Sequence, residues 1–384
     1  SILKIDFGRN NSYTSPGAFG YRRITGSSSK DLYDNNGNMW WDPNYRDWLY
    51  RVPIIISNLN NYTLYNFQVR IILHPTNIAY KVIRRNATDI RFAEVNGTPI
   101  PYWIERWEFN GLSYIWLNIS KIPPGNKKIY MYCGYRGSTP ISSESNGSRV
   151  FDFFDDFSST SIDSNKWTTY GSEAYIDNGY LVLKNGSAVV SNKVFSNGIM
   201  EAKAMAVDLG ANNTEASMFV RSTSLDDPYN NAFVFSSGSF KDYPERNFSI
   251  GTSYSNLYYI TTNPMKSQVW YRLTMTFSGS NFTATRYYYH VPSIPETIKG
   301  AFSVSSSGYV GLHTTLQGCM AKYDWVFVRK VADVQPTALV DGIVCSIYRW
   351  SYSSIGSLSF FNLPSENFTD PLHDDWVSSN DTST

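Results

Sequence analysis

Val269-Trp270-Tyr271-Arg272-Leu273-Thr274-Met275-Thr276-Phe277 carries the pattern on which the fold turns. Val269, Tyr271, Leu273, Met275 and Phe277 share one face, while Trp270, Arg272, Thr274 and Thr276 share the other. A period of two belongs to a strand with one face on a core. The same period sets Phe67, Val69, Ile71 and Leu73 against Gln68, Arg70 and Ile72. It sets Ile115, Leu117 and Ile119 against Asn118. Long helical periodicity is absent. Turn residues punctuate the chain at Asn96-Gly97, Pro123-Pro124-Gly125-Asn126, Asn146-Gly147, Asn178-Gly179 and Asn185-Gly186. Short strands between such turns predict an all-β protein of tandem β-sandwiches.

The chain has 384 residues, enough for two or three domains. Four segments emerge: a strand-led segment over 1–45, a compact unit over 46–140, a larger one over 150–334, and a tail over 335–384. The net charge is +1 from 33 basic and 32 acidic residues, which argues against a nucleic-acid partner. The longest purely apolar runs are of the order of Ile54-Ile55-Ile56, far short of a membrane helix. No secretory signal opens the sequence, so a secreted chain is read here in mature or trimmed form.

Asn is abundant and Gln scarce, at 33 against four. Acceptor sequons Asn-X-Ser/Thr stand at Asn10, Asn61, Asn86, Asn96, Asn118, Asn146, Asn185, Asn212, Asn247, Asn281, Asn367 and Asn380. Chance placement would give about six, so the excess predicts an N-glycosylated extracellular or cell-surface protein. Asn118, opposite an apolar face, is expected on the open side of its strand. Depletion of Gln fits a thermophile, and the surface reading points to an archaeal source.

The residues also resemble known families. Trp48-Leu49-Tyr50-Arg51-Val52-Pro53-Ile54, Asp89-Ile90-Arg91-Phe92, Pro101-Tyr102-Trp103-Ile104-Glu105 and Ile122-Pro123-Pro124-Gly125 resemble an uncharacterised domain family of archaeal and bacterial surface proteins. That family brings no established catalytic residues. Phe151-Asp152-Phe153-Phe154-Asp155-Asp156-Phe157, Trp167, Gly198-Ile199-Met200-Glu201-Ala202-Lys203 and the closing Tyr323-Asp324-Trp325 are similar to concanavalin A-like, LamG-type jelly rolls. Lys4-Ile5-Asp6-Phe7-Gly8 with Ser15-Pro16-Gly17 resembles the first strand of malectin-like or galactose-binding-like modules. In the tail, Phe368 to Trp376 echoes Phe157 to Trp167, so it reads as the start of another jelly roll or as a strand donated to a neighbouring copy.

Jelly rolls of this type host glycoside hydrolases, whose retaining chemistry needs two carboxylates close together on one strand. The corresponding stretch, Asn212 to Arg221, contributes only Glu215, so no catalytic residue is expected. Asp152, Asp155 and Asp156 are candidate Ca²⁺ ligands, with Asp324 as a distant helper; no other cofactor is expected. Glu105 and Glu108, bracketed by Trp103 and Trp107, suggest a sugar platform, although Trp103 also fits a core position. Tyr258-Tyr259 and Tyr287-Tyr288-Tyr289 are too many aromatics to turn inward, which favours sugar stacking or subunit contact. Cys133 reads as a buried small hydrophobe, and Cys319 with Cys345 as the pair able to bridge. The expected function is a non-enzymatic structural or adhesive surface subunit of a filament or sheath, joining copies of itself through terminal strands. The alternative is a carbohydrate-binding accessory module that holds surface glycans or polysaccharide.

Overall fold

The computed structural model describes residues 43–340, apart from short breaks at 46, 229–231, 243, 253–256, 260–262, 292 and 316. Beyond them it describes the strands Cys345–Ser346, Ser351–Tyr352 and Leu358–Ser359. Nearly all of the leading segment, most of the tail and the sequons Asn10, Asn367 and Asn380 lie outside the described residues.

The first sandwich begins with β1 (Trp48–Asn58), β2 (Leu64–Leu73) and β3 (Arg91–Glu94). It continues with β4 (Tyr102–Arg106), β5 (Ser113–Ile122) and β6 (Gly125–Tyr135). One sheet runs β1-β6-β3 and the other β2-β5-β4. Val52, Ile54 and Ile56 meet Phe67, Val69, Ile71, Ile115, Leu117 and Ile119 between them, as the alternation predicts.

The second unit opens with β7 (Phe153–Asp155), β8 (Trp167–Tyr170), β9 (Ala174–Asp177), β10 (Tyr180–Lys184) and β11 (Ala188–Phe195). Then come β12 (Gly198–Asp208), β13 (Thr214–Glu215), β14 (Ser217–Ser222), β15 (Phe233–Ser239), β16 (Phe248–Thr252) and β17 (Leu257–Tyr259). It closes with β18 (Trp270–Ser278), β19 (Asn281–Tyr288), β20 (Glu296–Ala301), β21 (Gly308–His313) and β22 (Cys319–Arg329). Two eight-stranded sheets face each other in the manner of a jelly roll. One is ordered β20-β19-β18-β12-β22-β10-β9 with β7 on β22, the other β17-β16-β15-β14-β21-β11-β8 with β13 on β15. Tyr271, Leu273, Met275 and Phe277 of the opening stretch lie in the core between them.

After β22 the chain returns to the first sandwich. β23 (Thr337–Val340) pairs antiparallel with β1, setting Ile54 opposite Val340, and β24 (Cys345–Ser346) extends that pairing at Tyr50 and Arg51. Val340 joins the first core. The jelly roll is therefore inserted between strands of a sandwich that the chain comes back to complete.

Turn chemistry explains several corners. Asn178-Gly179 and Asn185-Gly186 all have positive φ (51°, 78°, 50° and 84°), the turn geometry that Asn-Gly favours; the first closes the β9–β10 hairpin, and the second carries the chain from one sheet to the other. Asn146-Gly147 differs. Asn146 is extended at φ −153° and leads into a short 3₁₀ turn, Gly147–Arg149, that passes the chain between sandwiches.

Candidate functional site

The outer face of β2-β5-β4 packs on the outer face of β7, β22, β12 and β18. Trp103 and Trp116 from the first sandwich are buried against Phe151, Phe154, Trp325 and Phe327. Phe151 stacks on Phe327 with ring centroids 4.0 Å apart, and Trp103 meets Phe154 edge-on at 4.9 Å. The four sheets thus stack, and faces that the alternation assigns to solvent are buried. Trp103 is buried as its pattern suggests, but in this junction rather than inside the first sandwich.

The junction also holds a buried ionic cluster. Arg272, outward-facing on β18, donates through its guanidinium to Glu105 Oε1 at 2.5 Å and to Glu201 Oε2 at 2.5 and 2.7 Å. Arg329 Nε donates to Glu201 Oε1 at 2.6 Å. Tyr289 Oη and Trp116 Nε1 donate to the two oxygens of Glu105, at 3.0 and 2.7 Å. Buried charges persist where each has a partner and its remaining hydrogen bonds are met, and this cluster meets that condition. Burial alone pushes the Glu201 carboxyl up, yet Arg272 and Arg329 outweigh it and hold it down at about 2. Burial lowers the Arg272 guanidinium, but Glu105 and Glu201 raise it well above its ordinary value. Glu105 is therefore a structural counter-ion; it is Glu108 that stays exposed, paired with Arg106 at 2.5 Å.

At the rim of this junction lies a half-open shelf. Trp270 and Tyr180 are half-buried neighbours, their ring centroids 5.4 Å apart. Lys203 Nζ sits 4.9 Å from the Trp270 ring centre and 4.7 Å from that of Tyr289, and it donates to Asp324 Oδ2 at 2.5 Å. His290 is exposed next to Tyr289. Partial burial lowers its imidazole, and Lys203 and Arg106 add to the effect, so it is neutral at pH 7. Aromatic surface beside paired donors and acceptors is the chemistry that takes a sugar ring: C–H bonds on the ring face, hydroxyls on the charged groups.

The other expected site residues fall elsewhere. Asp155 is tied into the fold: its Oδ2 accepts from Trp167 Nε1 at 2.7 Å, and its Oδ1 from the Phe157 amide at 3.1 Å. Asp156 accepts from Ser158, and Asp152 is exposed. Among the described residues no group of three or more His, Cys, Asp or Glu side chains converges on a metal position. Glu215 is fully buried, accepting from Ser217 Oγ at 3.0 Å and from the Thr315 amide and hydroxyl at 2.6 and 2.8 Å. Of the tyrosine run, Tyr289 is buried, while Tyr287 and Tyr288 are half-buried and Tyr288 packs on Tyr271. The side chains of Tyr258 and Tyr259 lie outside the described residues, and the half-buried aromatic pair at the junction rim is Trp270 with Tyr180. Cys133 is fully buried, and burial together with Asp89 raises its thiol. Cys319 is buried with Sγ 2.9 Å from Thr314 Oγ1, whereas the Cys345 side chain lies outside the described residues.

Of the sequons within the described residues, Asn61, Asn86, Asn96, Asn146, Asn212 and Asn281 are exposed. Asn118 is half-buried at the junction rim, with Nδ2 donating to the Arg149 carbonyl at 3.3 Å, because its face of β5 is the docked one. Asn185 uses both ends of its amide, Nδ2 to Glu173 at 2.5 Å and Oδ1 from the Gly318 amide at 3.0 Å. Asn247 is buried, its Oδ1 accepting from the Phe240 amide at 2.9 Å.

Sequence reading missed Arg272, Glu201 and Arg329 as a unit. The available signal was on β22, where Trp325-Val326-Phe327-Val328 is apolar on both faces, the mark of a strand covered on both sides.

Comparison with known proteins finds one family model matching part of the chain and several solved structures of limited likeness. Residues 86–170 match the family model described as "Domain of unknown function (DUF2341)". The match covers the later strands of the first sandwich and the opening of the jelly roll, which is where the junction forms. No curated protein sequence matches the chain. Among solved structures, the carbohydrate-binding module CBM66 from Bacillus subtilis aligns at 18% identity and TM-score 0.34, over 43% of this chain and 96% of that one. A Bacteroides ovatus mixed-linkage-glucan GH16 protein aligns at 12% and 0.34, over 46% and 99%. Peanut lectin aligns at 9% and 0.36, over 47% and 99%.

Proposed function

We propose that the chain is a non-catalytic, extracellular glycan-binding protein whose saccharide site is the junction shelf. The observation that carries the reading is Trp270 beside Tyr180, with the Lys203–Asp324 pair set against the same indole. Catalysis is not part of the proposal: Glu105 and Glu201 are locked to Arg272, and Glu215 is sealed inside the jelly roll. A polysaccharide pull-down and glycan array with the intact chain test it, read alongside Trp270→Ala and Lys203→Gln. Binding should weaken at least tenfold in each variant while far-ultraviolet dichroism is unchanged. Absence of saccharide binding, or binding indifferent to both variants, removes the shelf as the site.

A second reading has its own support. Six sequons exposed among the described residues and a stack of four sheets suit a glycosylated subunit of an archaeal surface filament or sheath that associates with copies of itself through terminal strands. Polymers that resist dilution and salt in the absence of any saccharide would favour it over the first.

A further inference from the structure

The β1–β2 turn is pinned by two asparagines. Asn58 Nδ2 donates to the Tyr62 and Ile122 carbonyls at 3.0 and 3.1 Å, and its Oδ1 accepts from the Asn60 amide at 3.0 Å and from Asn60 Nδ2 at 2.8 Å. Asn60 in turn grips the returning chain, donating to the Val334 carbonyl at 2.8 Å and accepting from the Val334 amide at 3.0 Å. This clamp gathers an apolar strip on the surface. Leu59 is 75% exposed, Tyr65 58% and Leu339 66%, with Tyr62 and Val334 also open.

Neither Leu59–Tyr65 nor Val334–Val340 contains a charged residue. The strip runs onto β23, an edge strand whose outer side no described strand pairs. An uncharged, apolar edge invites pairing with other chains unless it is covered.

At the centre of the strip stands Asn61, in the sequon Asn61-Tyr62-Thr63. It is exposed, and no described residue bonds its side-chain amide, in contrast to Asn185 and Asn247. Nδ2 is therefore free to take a glycan on a turn held rigid by its neighbours. Tyr62 and Tyr65, both exposed and within four residues of Asn61, offer aromatic surface on which the C–H bonds of an attached pyranose can pack.

From this placement we infer that Asn61 carries an N-linked oligosaccharide whose first pyranose rings cover the strip of Leu59, Tyr62, Tyr65, Val334 and Leu339 and so shield the β23 edge. The inference rests on the reading of the chain as a glycoprotein and adds what one glycan does.

The test is a double-variant cycle in a host that N-glycosylates. Glycopeptide mass spectrometry should find Asn61 occupied. Asn61→Gln should lower the melting temperature by about 2–4 °C, raise binding of an apolar dye at least twofold, and produce self-associated species in light scattering. On a Tyr65→Ser/Leu339→Ser background, where the strip is no longer apolar, Asn61→Gln should change neither dye binding nor association. An unoccupied Asn61 beside occupied Asn86, Asn96 or Asn281 overturns the inference and leaves the glycoprotein reading standing; bare sequons throughout overturn both. A glycosylated parent chain that is already a dimer through this strip also overturns it, because a second copy would then be the cover. So does an equal effect of Asn61→Gln on both backgrounds.

Discussion

Glu201 and His313 show how single buried groups make this protein acid-sensitive. The Glu201 carboxyl is held at about 2 against an ordinary 4.5, because two guanidiniums outweigh the cost of burying it. His313 is fully buried, and burial drives its imidazole to about 3 from 6.5. Both groups bind a proton less readily when folded than when unfolded, so over the window between the two values the unfolded chain holds more protons and stability rises with pH. Stability should therefore be full above pH 6.5, decline below it as unfolded His313 takes up a proton, and fall more steeply below 4.5 as Glu201 joins. The Glu201 part amounts to about 3 kcal/mol when fully lost. Urea titrations at pH 7.5, 5.5 and 4 measure this, with His313→Gln expected to flatten the interval from 6.5 to 4.5 and leave the lower fall intact. A parent chain equally stable at 7.5 and 4 would refute the assignment of both groups.

At the scale of strands, β23 is the element with the greatest consequence for its length. Four residues from beyond the jelly roll pair with Ile54 to Ser57, and Val340 enters the first core. Ending the chain after Val334 should unseal the edge of β1 next to Ile54 and Ile56. One buried Val alone is worth about 1.5–3 kcal/mol, or roughly 2–4 °C of melting per kcal/mol for a unit of this size. Light scattering of the shortened chain should also show aggregation, since β1 would present an open edge rich in Ile; an unchanged melting curve would rule out a role for β23 in the first sandwich. Much of the strand content was legible beforehand: the alternation in β2, β5 and β18 places their core faces correctly, and Asn-Gly marks the β9–β10 and β10–β11 turns. β23 was not legible, because Thr337-Ala338-Leu339-Val340 is too short to carry a period and its partner lies some 280 residues earlier. The shelf escaped for a related reason. Trp270 and Lys203 look like ordinary outward residues on separate strands, and only the pairing of β12 with β18 and the docking of a second sandwich bring them to one rim.

On the scale of the whole molecule, the junction determines whether the protein is two modules on a string or one body. Interfaces between domains of a chain are commonly modest and polar, so relative motion is the default. Here the contact is buried and aromatic, with Trp103 and Trp116 among Phe151, Phe154, Trp325 and Phe327 and an ionic cluster beneath them. Separating the sandwiches would expose several aromatics worth 150–250 Å² each and strand Glu105 from Arg272. That cost is comparable to the stability of a domain, so neither sandwich should open before the other. Calorimetry of the intact chain should show one transition, with calorimetric and van't Hoff enthalpies equal. Removing one partner of a buried ion pair costs about 3–5 kcal/mol, and a buried Trp→Ala change is of similar size. Glu105→Ala combined with Trp103→Ala should therefore split the melt into two transitions, the jelly roll surviving to the higher temperature because its larger core lies away from both substitutions. Saccharide binding should weaken in the same variant, since Tyr289, over which the shelf's Lys203 sits, is held across the joint by its bond to Glu105. Two resolved transitions in the unaltered chain would show instead that the junction is a contact between independent domains.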